Sequence, residues 1–281
     1  MQIANRAPAD SGERREILSR LGVGGTAGIL QRSELVFQRL TIDQPSLILV
    51  RKGGKRLSSP AGEWSLRAGQ AVVLAGGQSF DVCNRPASDG LYEARWLVWD
   101  ADLLAATVSS HPPLVGAAVL GDLDQDFVAA FDRALEAIAR PHDIPDAIAR
   151  HRLAEMVLWL AERGVHLAPP DRRSAAARLR HLFGSAPDQA WTAAAAAAAL
   201  AVSEATLRRR LAVEGAGFGE ILADVRMSLA LALLQSTDHA VSRIALDVGY
   251  DSPSRFAIRF RKRFGFAPSA IRGHVRNAAP A

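Results

Sequence analysis

The sequence predicts an α+β fold in which a β-rich half precedes an all-helical half. Residues 34–99 contain short apolar runs of strand length, separated by Gly, Pro, Asn and Asp. From residue 122 onward the apolar residues instead recur at helical spacing. The chain has 281 residues, which is long enough for two domains with separate hydrophobic cores. We therefore expect an antiparallel barrel or sandwich followed by a helical domain.

The composition is that of a globular protein, with 49% hydrophobic and 22% charged residues. No run of about 18 apolar residues occurs, so the sequence predicts no membrane-spanning helix. The first twenty residues lack the apolar segment of a secretory signal. The single cysteine, Cys83, excludes an intramolecular disulfide and fits the reducing cytoplasm. We therefore expect a cytoplasmic protein that has no membrane partner.

The first elements of the chain are predicted from its short apolar runs. Residues 1–30, with the glycine-rich LGVGGTAG, predict loose order or a short edge element. The runs LVFQRL, SLILV, EWSLRAG, AVVLAGG and LYEARWLVW then predict strands. Gly53 and Gly54 lie between LILVRK and KRL and predict a hairpin turn.

Two amphipathic helices are predicted next, at residues 122–140 and 144–163. Their apolar stripes fit either packing on the strands or a dimer contact, and the sequence leaves both open. The segment HLAPPDRRS then has the composition of a linker. We expect an N-terminal domain at 1–168, a linker at 169–177 and a C-terminal domain at 178–281.

The positive charge of the chain lies entirely in its C-terminal part. Residues 1–174 hold 20 Lys and Arg against 21 Asp and Glu, whereas residues 175–281 hold 14 against 8. A neutral module joined to a basic one is typical of a protein that binds a polyanion. A membrane surface is the rival partner, but these helices need their apolar faces to pack on one another.

The stretch from Val241 to Arg272 predicts two short helices joined by a tight turn. Gly249 ends the first helix, and Asp251 or Ser252 caps the second. One side of the second helix is apolar, and its other faces are cationic. The apolar residues are Phe256, Phe260 and Phe264, and the cations are Arg255, Arg259, Arg261, Lys262 and Arg263. Such a pair of helices is a helix-turn-helix unit that fits a DNA groove.

An earlier stretch, from Trp191 to Leu211, shows the same organisation. Thr192 caps an alanine-rich helix, and Ser203 caps a second helix that carries three consecutive arginines. Between the two units, Phe218 to Gln235 predicts a long helix. A rigid connector would fix the separation of two DNA-contacting helices.

These motifs resemble the AraC/XylS family of transcription regulators. The run I-A-x-x-V-G-Y-D-S-x-S-x-F-x-x-x-F-R-K-x-F-G-x-x-P-S-x-x-R, from Ile244 to Arg272, is similar to the second helix-turn-helix of that family. The stretch from Trp191 to Leu211 resembles the first unit, and R-x-x-x-A-x-x-L-L from Arg226 resembles the connecting helix. The piece W-S-L-R-A-G-Q-A-V-V-L-A-G-G-Q-S-F resembles the family's cupin-like sensing domain.

The resemblance implies a sequence-specific DNA-binding regulator of transcription. Its fold would be an N-terminal cupin-like antiparallel β-barrel with flanking helices, followed by an all-α domain with two helix-turn-helix motifs. Double-stranded DNA is the implied partner, and RNA polymerase, a small-molecule effector and a second copy of the chain are further candidates. The alternative is a regulator whose barrel docks a partner protein in place of a small ligand.

The resemblance places the DNA contacts on the second helix of each unit. Arg208, Arg209, Ser254 and Arg255 lie early on those helices, where base edges are met. Ile258 departs from the family, which usually has Arg or Lys there, so either the helix is rotated in the groove or Ile258 contacts thymine methyl groups. The expected DNA-contacting residues are Ser203, Arg208, Arg209, Arg210, Ser252, Ser254, Arg255, Ile258, Arg259, Arg261, Lys262 and Arg263, of which the last three suit phosphates.

The barrel lacks the residues of a metal-dependent enzyme. All seven histidines lie outside residues 30–100, and Phe80 stands where the resembling pattern often has His. No G-x-S-x-G, P-loop or Cys–His pairing occurs, so we expect no catalysis, no metal and no cofactor. Any effector is expected on the apolar strand faces, with Arg51, Lys52 or Arg95 as polar contacts.

Overall fold

The computed structural model describes residues 16–107, 110–171 and 173–273, and it begins with a β-sandwich. The strands are β1 (Leu18–Arg20), β2 (Gly24–Gln31), β3 (Leu35–Ile42), β4 (Ser46–Lys52), β5 (Gly54–Ser59), β6 (Gly62–Arg67), β7 (Ala71–Leu74), β8 (Gln78–Arg85), β9 (Tyr92–Trp99) and β10 (Ala117–Leu120). One sheet has the order β1-β2-β9-β4-β7-β10, and the other has the order β3-β8-β5-β6.

The predicted α+β class and antiparallel β domain are confirmed, with one refinement. The two sheets are not hydrogen-bonded into one closed barrel but pack on each other as a sandwich. Residues of both inner faces, including Phe37, Leu57, Phe80 and Tyr92, share one buried cluster. The interior is therefore filled by apolar side chains over most of its length.

The hairpin predicted at Gly53 and Gly54 is wrong. Strand β4 belongs to the six-stranded sheet and β5 to the four-stranded sheet, so the chain crosses between sheets at this point. Gly53 has a φ of 78°, and a Cβ there would lie 2.3 Å from the carbonyl oxygen of Arg85. A glycine is needed at this position because the backbone is left-handed and passes too close to the Arg85 carbonyl for any side chain to fit.

The expectation for residues 1–30 is right for β1, a three-residue edge strand, and wrong for the glycine-rich LGVGGTAG, most of which forms the inner strand β2. All eight residues of β2 pair with β9, and its first three pair with β1. Glycines have no side chain with which to show the alternation of a strand, so the pattern was hidden. Residues 1–15 lie outside the described part of the chain.

Helices α1 (Ala101–Ala106), α2 (Gln125–Ala139) and α3 (Asp146–Ala161) flank the sandwich, and the last two confirm the prediction. Phe127 and Phe131 of α2 and Leu153 of α3 are buried with outward residues of the six-stranded sheet. The indole Nε1 of Trp99 donates to the carbonyl of Leu153 at 2.9 Å. The apolar stripes of both helices are thus used, at least in part, to cover the sheet.

The C-terminal part is helical, as predicted. Its helices are α4 (Ala175–Ser185), α5 (Ala193–Ala199), α6 (Glu204–Val213), α7 (Phe218–Ser236), α8 (Val241–Asp247) and α9 (Pro253–Phe264), followed by a 3-10 helix (Pro268–Arg272). Helix α4 begins inside the range predicted as a linker, 169–177. The carboxylate of Glu214 accepts hydrogen bonds from the backbone N–H groups of Ala175 and Ala176, which fixes that helix start.

Helix α7 joins two cores. Ile221 and Val225, in its first half, pack with α4, α5 and α6. Leu231 and Leu234, in its second half, belong to a cluster that contains α8, α9 and the interior of the sandwich. The second helix-turn-helix unit and the sandwich therefore share one continuous core. Among the described residues, no helix is long and apolar enough to cross a membrane.

Candidate nucleic-acid interface

Helix α9 separates an apolar face from a cationic one. Phe256 and Phe260 are fully buried, and Phe264 is 6% exposed. The opposite face leaves Ile258 70% exposed. The exposed polar residues of the helix are Ser254, Arg255, Arg259, Arg261 and Lys262. Helix α9 thus presents four exposed cations on a rigid element that is held by three buried aromatic rings.

A shallow depression of about 560 Å³ lies at the start of α9. Its lining residues are Gly249, Tyr250, Asp251, Ser252, Arg255, Ile258, Arg259 and Lys262. The expected DNA-contacting residues Arg255, Ile258, Arg259 and Lys262 are therefore brought together on one surface. An exposed isoleucine between arginines fits the major groove, where thymine methyl groups lie beside acceptor atoms.

Helix α6 has the same organisation on a smaller scale. Leu207 and Leu211 are buried, whereas Arg208, Arg209 and Arg210 are exposed. Arg208 forms an ion pair with Glu204 one turn earlier on the same helix. Arg209 and Arg210 have no ion pair in the described part of the chain. An exposed ion pair within a helix contributes little to stability, so all three arginines remain accessible to an anion.

Two of the expected contact residues serve as helix caps. The hydroxyl of Ser203 accepts a hydrogen bond from the backbone N–H of Thr206 at 3.1 Å. The hydroxyl of Ser252 accepts from the backbone N–H of Arg255 at 3.4 Å. Ser203 therefore holds the first turn of α6, and Ser252 holds that of α9.

Arg263 does not lie on the exposed cationic face. Its guanidinium donates to the carbonyls of Gln38 at 2.6 Å and Arg39 at 2.7 Å, and to the carboxylate of Asp224 at 3.0 Å. In this arrangement its donors are occupied by the sandwich and α7, so Arg263 would have to leave these partners in order to clamp a DNA phosphate. Its position one residue before Phe264 turns it towards strand β3, where Phe37 packs edge to face on Phe264.

Sequence reasoning missed the structural role of Arg226. Its Nε donates to the carbonyl of Pro187 and its Nη2 to that of Gln189, both at 2.9 Å. The same guanidinium lies over the ring of Tyr250, 5.8 Å from the centroid. Arg226 therefore ties α7 to the loop before the first helix-turn-helix unit and to the turn of the second. The only feature of the sequence that singled out Arg226 was its match to the motif of the connecting helix.

The three cations expected at an effector site are not brought together between the sheets. Arg51 pairs with Asp132 of helix α2, and Lys52 pairs with Asp89 in the β8–β9 loop. Arg95 is two residues from Leu97, which faces the flanking helices and not the sandwich interior. Alternation along β4 and β9 thus puts Arg51 and Arg95 on the outer side of the six-stranded sheet.

A different cation, Lys55, lies on the inner side of the four-stranded sheet and is 5% exposed. Lys55 lies two residues before Leu57 on β5, so both side chains are on the inner face, and this spacing was the signal that could have placed Lys55 inside. Among the described residues, no three His, Cys, Asp or Glu side chains are grouped so that they could hold a metal ion.

Residues 196–274 match a family model described as a helix-turn-helix domain. The urease operon transcriptional activator of Escherichia coli is 34% identical over 94 residues, which are 34% of this chain and 32% of the relative. The E. coli activator CfaD is 35% identical over 91 residues, which are 32% of this chain and 34% of the relative. The chain thus matches about a third of the length of these curated relatives.

Two solved structures of ToxT from Vibrio cholerae are similar over most of this chain. An apo ToxT variant has a TM-score of 0.62 at 14% identity and covers 90% of this chain and 97% of its own. ToxT bound to an unsaturated fatty acid has a TM-score of 0.61 at 15% identity and covers 96% of this chain and 99% of its own. At such identities the likeness concerns the fold. The family match over residues 196–274 and the two curated relatives show that the C-terminal part of this chain is a helix-turn-helix domain of the AraC/XylS type.

Proposed function

We propose that this protein is a cytoplasmic, sequence-specific DNA-binding regulator of transcription. The observation that carries the proposal is the pair of helices α6 and α9, each buried on one side by apolar residues and exposed on the other with arginines. Helix α7 packs on both units through its two halves, so the recognition helices keep a fixed relation. Two cationic helices on one rigid connector suit two stretches of major groove.

Base reading and phosphate binding are assigned to different residues. Arg208, Arg209, Arg210, Ser254, Arg255, Ile258 and Arg259 are proposed to face base edges. Arg261 and Lys262, on the last turn of α9, are proposed to bind phosphates, because exposed point charges position a protein without reading sequence. Ser203 and Ser252 are proposed to support these contacts indirectly, by capping helices α6 and α9.

The sandwich is proposed to receive a small-molecule effector. The fold supports this, since a structure of similar fold is that of ToxT with a bound unsaturated fatty acid. Arg51 and Arg95 remain candidate contacts only on the outer side of the six-stranded sheet, and Lys52 remains one at the end of β4. Carboxylates of this chain already pair with Arg51 and Lys52. An anionic or amphipathic compound is the class that these cations favour. A shift of the melting temperature with such compounds, and none with neutral sugars, would identify this class.

The direct test of the function is DNA binding by the full chain. Genome-wide mapping of bound sites gives the operator sequence, and a titration at several salt concentrations gives the number of phosphates neutralised. The full chain is used because Phe37 of the sandwich packs on Phe264 of the second unit. We expect a steep loss of affinity with salt and a preferred sequence. Salt-independent binding, or equal binding to all sequences, would contradict the proposal.

A second copy of the chain is proposed as a partner through helix α3. Leu158 is 65% exposed and Ile148 is 48% exposed, although both lie within the range expected to dimerise, 144–163. Exposed large apolar residues on one helix favour a helix–helix contact between subunits. Light scattering of the wild type and of Leu158→Asp tests this, since the variant is expected to lower the dimer fraction.

A further inference from the structure

The C-terminal end of helix α7 closes one end of the sandwich. Leu231 and Leu234 pack in the same cluster as Ile29 of β2 and Tyr92 of β9. Gln235, which follows Leu234 in α7, is only 7% exposed. The helix that connects the two DNA-binding units therefore acts as a plug over polar residues at this end of the sandwich.

Lys55 is buried inside the sandwich and forms no ion pair among the described residues. Its Nζ donates to the side-chain oxygen of Asn84 at 2.7 Å and lies 5.7 Å from the centre of the Tyr92 ring. No carboxylate pairs with it among the described residues. A buried ammonium that has only an amide and an aromatic ring as partners is costly, because neither replaces the hydration that the charge has lost.

A chain of side-chain amides joins Lys55 to the plug. The Nδ2 of Asn84 donates to Oε1 of Gln31 at 3.1 Å. The same Oε1 accepts from Nε2 of Gln235 at 3.0 Å. An ammonium can only donate, so the charged form of Lys55 forces Asn84 to present its oxygen and sets the direction of every later bond. The orientation of Gln235 on α7 is thus linked to Lys55 across 180 residues of sequence.

Among the described residues, the groups that face Lys55 are uncharged near pH 7. The neighbouring strands and α7 present Gln31, Leu66, Asn84 and Gln235 as neutral groups, and Cys83 and Tyr92 as titratable ones. Burial raises the pKa of both Cys83 and Tyr92, so both are neutral near pH 7. Burial also lowers the pKa of Lys55 to about 7 from its ordinary value of 10.5.

We propose that helix α7 is a seal over Lys55, and that the charge of Lys55 sets how tightly the helical domain docks on the sandwich. Lifting the end of α7 admits water to the amine and relieves the cost of its charge. Charging Lys55 therefore loosens the seal, and neutralising it tightens the seal. Lys55 is a positioning residue, since it acts on the DNA-binding units only through α7.

The sign of the pH effect follows from proton linkage. The open form holds Lys55 in water with a pKa near 10.5, whereas the sealed form holds it with a pKa of about 7. Between these values the open form binds one more proton, so opening is favoured as the pH falls towards 7. Below pH 7 Lys55 is charged in both forms, so the opening constant no longer depends on pH. One proton corresponds to at most about a tenfold change in the opening constant for each pH unit.

The test is amide hydrogen exchange of the last two turns of α7, residues 229–236, in the full chain without DNA, so that its outcome is independent of the proposed function. Rates are measured between pH 7 and 9 and corrected for the intrinsic rate at each pH. In the wild type, the opening constant should fall with rising pH by up to about tenfold per unit. Lys55→Met should abolish this slope. Arg56→Met, on the exposed side of the same strand, should leave it unchanged.

A further variant separates a positioning role from a merely structural one. Gln235→Met removes the last bond of the chain but keeps Lys55, so it should raise the opening constant at every pH and preserve the slope. It also provides the readout if Lys55→Met does not fold. A wild-type α7 whose opening is independent of pH would overturn the proposal. So would a slope that persists in Lys55→Met, or one that vanishes in Gln235→Met.

Discussion

Arg263 donates a hydrogen bond to the carboxylate of Asp224, with 3.0 Å between Nη2 and Oδ1. The other carboxylate oxygen of Asp224 accepts from Arg180 of helix α4 at 2.8 Å. Arg263 also binds two backbone carbonyls of strand β3, and Arg39, which contributes one of them, has a φ of 49°. One carboxylate on α7 thus links α9 of the second unit to α4, which packs on the first unit, and Arg263 links both to the sandwich.

Arg263→Ala should therefore destabilise the protein more than it weakens DNA binding. We expect its free energy of unfolding to fall by about 1–3 kcal/mol, because hydrogen bonds to charged, partly buried groups are lost. Arg261→Ala is the matched control, since it is exposed, and it should change stability by less than about 0.5 kcal/mol. Urea denaturation measures both effects.

The same pair of variants should separate in a DNA titration. Arg261→Ala should weaken binding to all sequences alike and reduce the salt slope by about 1. Arg263→Ala should leave the slope nearly unchanged. If Arg263→Ala keeps full stability and removes one unit of slope, then Arg263 leaves the sandwich and binds a phosphate in the DNA complex.

Arg209→Ala and Arg255→Ala should reduce sequence discrimination. Each is expected to cost roughly 1–3 kcal/mol at the preferred site, because a bidentate contact to a base edge is lost. Arg140→Ala, on an exposed residue beyond helix α2, is the control and should not alter binding. Affinities for the preferred site and for random DNA are compared. An equal loss on both would assign the arginine to the phosphate backbone.

Gly249→Ala should unfold the second helix-turn-helix unit or strain it severely. Gly249 has a φ of 80°, and a Cβ there would lie 2.5 Å from Nη2 of Arg226 and 2.6 Å from the carbonyl oxygen of Pro187. We expect a loss of about 2–5 kcal/mol from the left-handed backbone together with overpacking. Gly219→Ala, in helix α7 with open space around it, should instead be neutral or stabilise by up to about 1 kcal/mol. Thermal unfolding of the two variants provides the comparison.

Asp124→Asn should change how the free energy of unfolding depends on pH. The backbone N–H of Phe127 donates to Asp124 at 2.7 Å, and this bond, aided by the charge of Arg163, lowers the pKa of Asp124. Because the pKa of Asp124 is lower in the folded state than in the unfolded state, its charge stabilises the fold at any pH above the unfolded-state pKa, which is near 4. This stabilisation is lost as the pH falls through the folded-state pKa. The wild type should be more stable than the variant at pH 5, and the difference should shrink at pH 3. A difference that stays constant would assign no stabilising role to the charge. Asp122→Asn, outside the helix, is the control.

DNA binding should not require a transition metal. Every histidine lies outside residues 30–100, and the described residues contain no group suited to a metal ion. Treatment with a chelator should leave affinity for the preferred site unchanged, and elemental analysis should find no stoichiometric iron or zinc. Metal at one equivalent, with loss of binding on its removal, would contradict this expectation.

The sequence by itself determined the elements whose signals are local. The α9 helix was predictable because a capping serine, a proline in the first turn, phenylalanines every fourth residue and a terminal glycine all agree. The exposed arginines of α6 and α9 followed from the same period, since buried leucines and phenylalanines fix which side faces water. The two helix-turn-helix units could therefore be placed residue by residue.

Tertiary structure decided what depends on partners distant in sequence. Strand β2 was hidden because glycines carry no alternation, and Gly53 was misread because only sheet pairing separates a hairpin from a crossing. Arg263 and Arg261 look alike along the chain, yet the docking of β3 occupies one and leaves the other exposed. Lys55 resembles any surface lysine along the chain, yet the packing of the two sheets leaves it only 5% exposed. Local periodicity reports which face of an element is buried, whereas the identity of what covers that face is a property of long-range packing.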